Sequence, residues 1–176
     1  MTHAATKPSR VLPLEPPRFE NGKALLIGGL RHDYTPENMN DLPAQWQRLV
    51  PHLGKIPGQI GRAAYGVSWC PENSPAISYL CGVEVCDFSC LLGEFTIVSI
   101  PAQRYAVFSH RGHVSRIRET IEAIGSKWYP ESGEEPAARS GETPDFFERY
   151  SEDFDPRTGM GGMEIWIPVK SSRGSG

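Results

Sequence analysis

The stretch Gly161-Gly162-Met163-Glu164-Ile165-Trp166-Ile167-Pro168-Val169 decides the fold. Met163, Ile165, Ile167 and Val169 alternate with Glu164, Trp166 and Pro168, the period of a strand with one face on a core. Two glycines open it, and Pro168 ends it or marks an edge. The remaining face carries a carboxylate two residues from an indole. On rigid backbone, an acid beside an aromatic surface suits a cationic or flat apolar ligand. An edge strand with solvated polar residues is the plainer alternative.

The same local pattern occurs 80 residues earlier, where Gly82-Val83-Glu84-Val85 matches Gly162-Met163-Glu164-Ile165. The order of elements around the two copies also matches. In the first half, 23–30 is a short apolar run. Thr35-Pro36-Glu37 then reads as a helix start, and Leu42, Trp46, Leu49 and Leu53 form one apolar helical stripe. Segments 63–70 and 76–87 read as paired strands joined by Pro71-Glu72-Asn73-Ser74-Pro75. In the second half, 94–109 is strand-like, with Pro101-Ala102-Gln103 as a bulge or turn within it. Val114, Ile117, Ile121, Ile124 and Trp128 recur at helical spacing, and Pro130 is expected to stop that helix. Segments 144–155 and 162–169 supply the last hairpin.

The fold class is therefore α+β, with duplicated βαββ units over about 21–90 and 94–170. They are expected to form an antiparallel sheet with two helices packed on one side. The seam between the halves is one place for a ligand cleft. Residues 1–20, with four prolines, read as a flexible or draped arm, 21–170 as the domain, and 171–176 as a disordered tail. The segment 131–143 is a charged surface loop.

With 176 residues, 39% hydrophobic and 10% aromatic, the chain can bury a core. A net charge of −3 and a pI near 6.0 give no electrostatic case for nucleic acid. Neither end has room for a helix-turn-helix, so the chain is not expected to read DNA by itself. It contains no long apolar run and no signal-peptide pattern, so a cytoplasmic protein without a membrane partner is expected. Cys70, Cys81, Cys86 and Cys90 lack paired CxxC knuckles, and His110 and His113 flank Arg111-Gly112 rather than a helical turn. No metal and no cofactor are expected.

The repeat, the strand 164–169 and the segment 100–108 resemble a GyrI-like domain. That family includes the gyrase-inhibitor-like small-molecule-binding proteins and the effector domains of AraC-type and MerR-type regulators. His110-Arg111-Gly112, Lys127-Trp128-Tyr129-Pro130, Phe146-Phe147-Glu148-Arg149-Tyr150 and Asp155-Pro156-Arg157-Thr158-Gly159 carry the resemblance further. It implies a pseudo-symmetric pair of βαββ units around an aromatic cleft with one acid at its floor. The matching acid is Glu164, and Tyr150 from the preceding strand would line the same cleft. The chain resembles the stand-alone members.

Glu164, Tyr150, Trp166, Trp69, Tyr65, Trp128 and Tyr105 are accordingly the candidate ligand-binding residues, although core packing is the commoner fate of Trp69, Tyr65 and Trp128. The expected function is binding of an amphiphilic, aromatic or cationic small molecule. A hydrolase of cyclopropanoid DNA-alkylating natural products is the alternative. There Glu164 would be a general base and Tyr150 would polarise or protonate the developing oxyanion. A third reading is gyrase modulation or association with a separate regulator. A second copy of the chain, in a homodimer, is a further candidate partner.

Overall fold

The computed structural model describes residues 12–71, 73–137 and 143–171. Most of the expected arm, the tail from 172 and residues 138–142 of the charged loop lie outside them. Among the described residues the strands are β1 (Arg18–Gly22), β2 (Leu25–Tyr34), β3 (Gln59–Trp69), β4 (Ile77–Val85), β5 (Thr96–Ile100), β6 (Gln103–His110), β7 (Phe146–Tyr150) and β8 (Met163–Pro168). They form one antiparallel sheet in the order β1-β6-β8-β7-β3-β4-β2-β5. The helices are α1 (Leu42–Leu49), α2 (Ile117–Ala123) and the short α3 (Tyr129–Ser132). The α+β architecture of duplicated βαββ units is as expected, and β3 and β7 meet at the seam.

Two connections force the sheet to bend. Only Pro101 and Ala102 join β5 to β6, and such a link spans at most about 11 Å. In a flat sheet those strands would lie about 29 Å apart, six spacings at the usual strand separation. Lys23 and Ala24 impose the same constraint between β1 and β2. The ends of the sheet therefore curve toward one another, and the halves exchange their leading strands: β1 pairs with β6, and β5 with β2. Of the bulge or turn expected at 101–103, the turn is formed, and 94–109 contains two strands, β5 and β6. Pro101, which cannot donate to a ladder, marks the break between them. Part of the expected arm is likewise ordered, because Arg18–Gly22 adds an edge strand that its polar sequence does not announce.

The helices cover the outer face. Leu49 of α1 is fully buried over Leu30, Cys81 and Val83, and Gln45 is buried beside it. The Gln45 amide donates to the carbonyls of Leu30 and Tyr79 and accepts from the Tyr34 hydroxyl, so its burial leaves no orphaned polar group. Ile117, Ile121, Ile124 and Trp128 pack over Phe108, Ile165 and Ile167. The inner face holds a separate core built from Ile27, Tyr65, Val67, Leu80, Tyr105, Val107 and Phe147.

Both helices differ from expectation at their ends. Thr35 does not cap α1: its amide donates to Asn38 Oδ1 at 2.6 Å in a preceding turn, and α1 begins at Leu42. Pro130 does not stop the second helix. A π-helical turn over Ile124–Trp128 intervenes, and Pro130 then sits in the first turn of α3, where its missing N–H is not needed.

Candidate functional site

The central strands β3 and β7 place Gly66 directly opposite Glu148. Alternation then sends Glu148 and Tyr150 to the outer, helix-bearing face, and Phe147 and Arg149 to the inner one. Glu148 is only 6% exposed. Tyr79 of β4 and Tyr150 each donate a hydroxyl proton to Glu148 Oε2 at 2.9 Å. Trp46 of α1 donates its indole N–H to the Tyr79 hydroxyl at 3.1 Å and sets its ring edge against Tyr150, with centroids 5.2 Å apart. Phe154 packs against Tyr150 at 5.1 Å. One carboxylate thus sits among four aromatic side chains.

Gly66 makes this arrangement possible. A Cβ at that position would lie 2.0 Å from the Tyr79 hydroxyl oxygen and 2.6 Å from Glu148 Oε2. The strand gives up a side chain so that the acid and its tyrosine can occupy the space.

Glu148 is the one carboxylate among the buried described residues, and neither of its hydrogen bonds comes from a cation. Burial pushes its pKa above the usual glutamate range, against the downward pull of the two tyrosine hydroxyls and of the Arg118 charge on α2. Burial and the Glu148 charge together push Tyr79 and Tyr150 well above the usual phenol value, so both hydroxyls keep their protons. The cluster can hold a proton or a ligand cation, and it presents ring surface around either.

Glu164 has a different environment. It projects from the inner face, where Arg18 Nη1 lies 2.6 Å from Oε2 and Arg149 Nη1 lies 3.8 Å from Oε1. The Trp166 indole donates to it at 3.4 Å. Its repeat counterpart Glu84 is bound in the same manner by Lys23 at 2.9 Å. Both acids therefore tie the segment around β1 to the sheet.

The expected pairing of Glu164 with Tyr150 is not formed. In the β7–β8 register Tyr150 stands opposite Met163, and Arg149 stands opposite Glu164, so the two expected site residues face opposite sides of the sheet. The other candidates divide between the two faces. Tyr65, Tyr105, Phe147 and Trp166 are mutually packed inner-face rings, with Phe147 and Trp166 stacked at 5.4 Å. Trp69 lies on the same face under the Arg31 guanidinium, 4.8 Å from its ring centre. Trp128 is on the outer face but packs beneath α2 against Phe108, at 5.0 Å.

The residue that sequence reasoning passed over is Glu148. Its signal lay in Phe146-Phe147-Glu148-Arg149-Tyr150, where two-residue spacing puts Glu148, rather than Arg149, on the face of Tyr150. In the sequence Trp46 belongs to the apolar stripe of Leu42, Leu49 and Leu53, which indicates core packing.

Residues 15–170 match the family described as the GyrI-like small molecule binding domain. The chain belongs to this GyrI-like family. It is 30% identical over 126 residues to the transcriptional regulator BrlR of Pseudomonas aeruginosa, a match covering 70% of this chain and 44% of that protein. The chain thus spans less than half the length of this curated relative. Among solved structures, it resembles SAV2435 bound to tetraphenylphosphonium, with 19% identity, a TM-score of 0.64, and coverage of 89% of this chain and 95% of that one. It also resembles the C-terminal domain of EcmrR, at 15% identity and a TM-score of 0.63, covering 92% and 100% of the two chains. In a DNA complex of EcmrR the similarity covers 57% of the EcmrR chain. These likenesses establish the shared eight-stranded fold with two helices.

Among the described residues, no helix is long and apolar enough to cross a membrane.

Proposed function

We propose that this GyrI-like domain binds a lipophilic, aromatic cation at the outer-face cage, with Glu148 as its counter-charge. The observation that carries the reading is Glu148 itself: a buried carboxylate held by two tyrosine hydroxyls, edged by an indole, and hydrogen-bonded to no cationic side chain. A ligand cation would supply the missing partner, and Trp46, Tyr79, Tyr150 and Phe154 would supply cation–π and stacking surface. The tetraphenylphosphonium bound by SAV2435 is an ion of this chemistry, which supports the same ligand class here. In this reading Tyr150 belongs to the site through Glu148 rather than Glu164. Trp46 packs on both tyrosines that hold the buried carboxylate, so ligand entry requires rings of this cluster to move.

Titration with tetraphenylphosphonium, followed by calorimetry, tests the reading. Wild type should bind saturably, and Glu148→Gln should weaken binding at least about tenfold, the loss of one charge-assisted contact of about 1.4 kcal/mol. Equal affinities would overturn it.

A second reading rests on the same cluster. A glutamate with a raised pKa beside two protonated tyrosines has the groups needed for general base catalysis and oxyanion stabilisation. Hydrolysis of a cyclopropanoid alkylator would then depend on Glu148 and Tyr150. Turnover lost in both Glu148→Gln and Tyr150→Phe would favour it, while binding without product would favour the receptor. The similarity to BrlR supports a regulatory context, in which the bound ligand is the effector.

A further inference from the structure

We propose a second binding site on this chain, for a small apolar monocarboxylate, in the cavity where β6 and β7 end and β8 begins. The cavity measures about 420 Å³, and its wall includes Ser109, Arg149, Ser151, Asp153, Met160 and Glu164. It lies off the Glu148 cage. Ser109, Glu164 and Arg149 stand in one cross-strand row, each opposite the next, so all three project from the inner face.

Arg149 is the anchor. Its nearest carboxylate oxygen among the described residues is Glu164 Oε1 at 3.8 Å, beyond hydrogen-bond reach. Glu164 has given its other oxygen to Arg18 at 2.6 Å. The Arg149 side chain is 35% exposed, so its planar fork is open to a ligand. A guanidinium in that condition recognises a carboxylate through two parallel hydrogen bonds. The hydroxyls of Ser109 and Ser151 are in the same wall and can donate to the same anion. Arg111 also borders the cavity, but it is turned to Glu15 at 3.2 Å.

The wall is formed before a ligand arrives. Gly161 and Gly162 both have positive φ, and a Cβ would lie 2.6 Å from the Asp153 carbonyl oxygen at the first and 2.3 Å from Ser151 Oγ at the second. The Ser151 amide donates to the Gly162 carbonyl at 2.9 Å, and the Asp155 amide to the Met160 carbonyl at 2.9 Å. A wall fixed in this manner reduces the ordering cost of binding.

Charge selects the ligand. Asp153 and Glu164 share the wall with Arg149 and Arg111, so the cavity carries no net positive excess to draw a dianion such as phosphate. Met160 provides apolar lining and is 41% exposed. One carboxylate on an apolar body matches that surface.

Sodium benzoate, titrated at fixed ionic strength and followed by amide and Arg Nε NMR shifts, tests the proposal. Wild type should show a saturable response at the 109, 149 and 151–162 amides. Arg149→Gln should weaken benzoate at least about tenfold, and Arg149→Lys, which keeps the charge but not the fork, should fall between them. Inorganic phosphate should compete weakly. Glu148→Gln should leave benzoate affinity unchanged, and Arg149→Gln should leave tetraphenylphosphonium affinity unchanged, so the two sites fail or stand separately. A non-saturable response, equal benzoate affinity in wild type and either Arg149 variant, or phosphate binding as tight as benzoate would overturn it. If Arg149→Gln does not fold, Arg149→Lys decides alone.

Discussion

Glu148 and Glu164 sit on adjacent strands, and the sheet sends them to opposite faces with opposite partners. Glu164 meets two arginines, one of them contributed by β1 from the far end of the chain. Glu148 meets two tyrosines, and no cation hydrogen-bonds to it. The first acid is neutralised by the fold, so it closes an edge of the sheet and has little left for a ligand. The second remains desolvated with no cation hydrogen-bonded to it, a state that costs stability and that, under the proposed function, a ligand cation would relieve. An acid that the fold leaves without a cation is the better candidate for binding than one that merely lies near an indole.

The strongest way to break this contrast is to fill the space that the glycine leaves. Gly66→Ala should lower unfolding stability by about 2 to 3 kcal/mol in urea titrations, because its methyl meets a hydroxyl and a carboxylate that cannot both retreat. The same variant should lose tetraphenylphosphonium binding. A stability within 0.5 kcal/mol of wild type, on the scale of an ordinary surface change of about that size, would show that the cage is not tightly packed.

Trimming the cover should cost less. Trp46→Phe removes the indole N–H from the Tyr79 hydroxyl and part of the ring surface, and should destabilise by about 1 kcal/mol. Its tetraphenylphosphonium affinity should drop about fivefold if the indole contributes stacking surface.

Protonation sharpens the comparison further. The folded-state pKa of Glu148 is raised, so the native state binds more protons than the unfolded chain across the interval above the ordinary glutamate value of about 4.3. Stability should therefore fall as pH rises through that interval toward the raised value, and the fall should be smaller in Glu148→Gln. Cation affinity should move the other way, increasing as Glu148 loses its proton. Thermal melts and titrations across the interval check both signs; parallel pH profiles for wild type and variant would contradict them.

The smallest effect belongs to the other acid. Arg18→Ala removes a partly exposed ion pair and should cost about 0.5 kcal/mol by chemical denaturation, shrinking further at high salt. A loss of several kcal/mol would mean that Glu164 is not the surface tie described here.

Much of the fold is legible in the chain. The stripe from Val114 to Trp128 and the alternation from Met163 to Val169 give an outer helix and a one-face strand, and the matching Gly-x-Glu-x patterns give the two halves. Strand exchange is not legible, since nothing in Arg18–Gly22 or around Pro101 says which distant strand each will join. The site was half legible for the same reason. Local spacing shows that Glu148 accompanies Tyr150 and that Glu164 accompanies Trp166. Only the tertiary fold brings Arg18 to Glu164 across 146 positions of sequence, and Tyr79 and Trp46 to Glu148. An acid's chemistry follows from those partners, and the strand register sets Glu148, rather than Glu164, beside Tyr150.

The central claim is that Glu148, and not Glu164, is the ligand's counter-charge. It is tested most directly by titrating tetraphenylphosphonium into Glu148→Gln and Glu164→Gln side by side at neutral pH. We expect at least about a tenfold loss of affinity for the first and less than about a twofold change for the second. Loss in Glu164→Gln with wild-type affinity in Glu148→Gln would contradict the account.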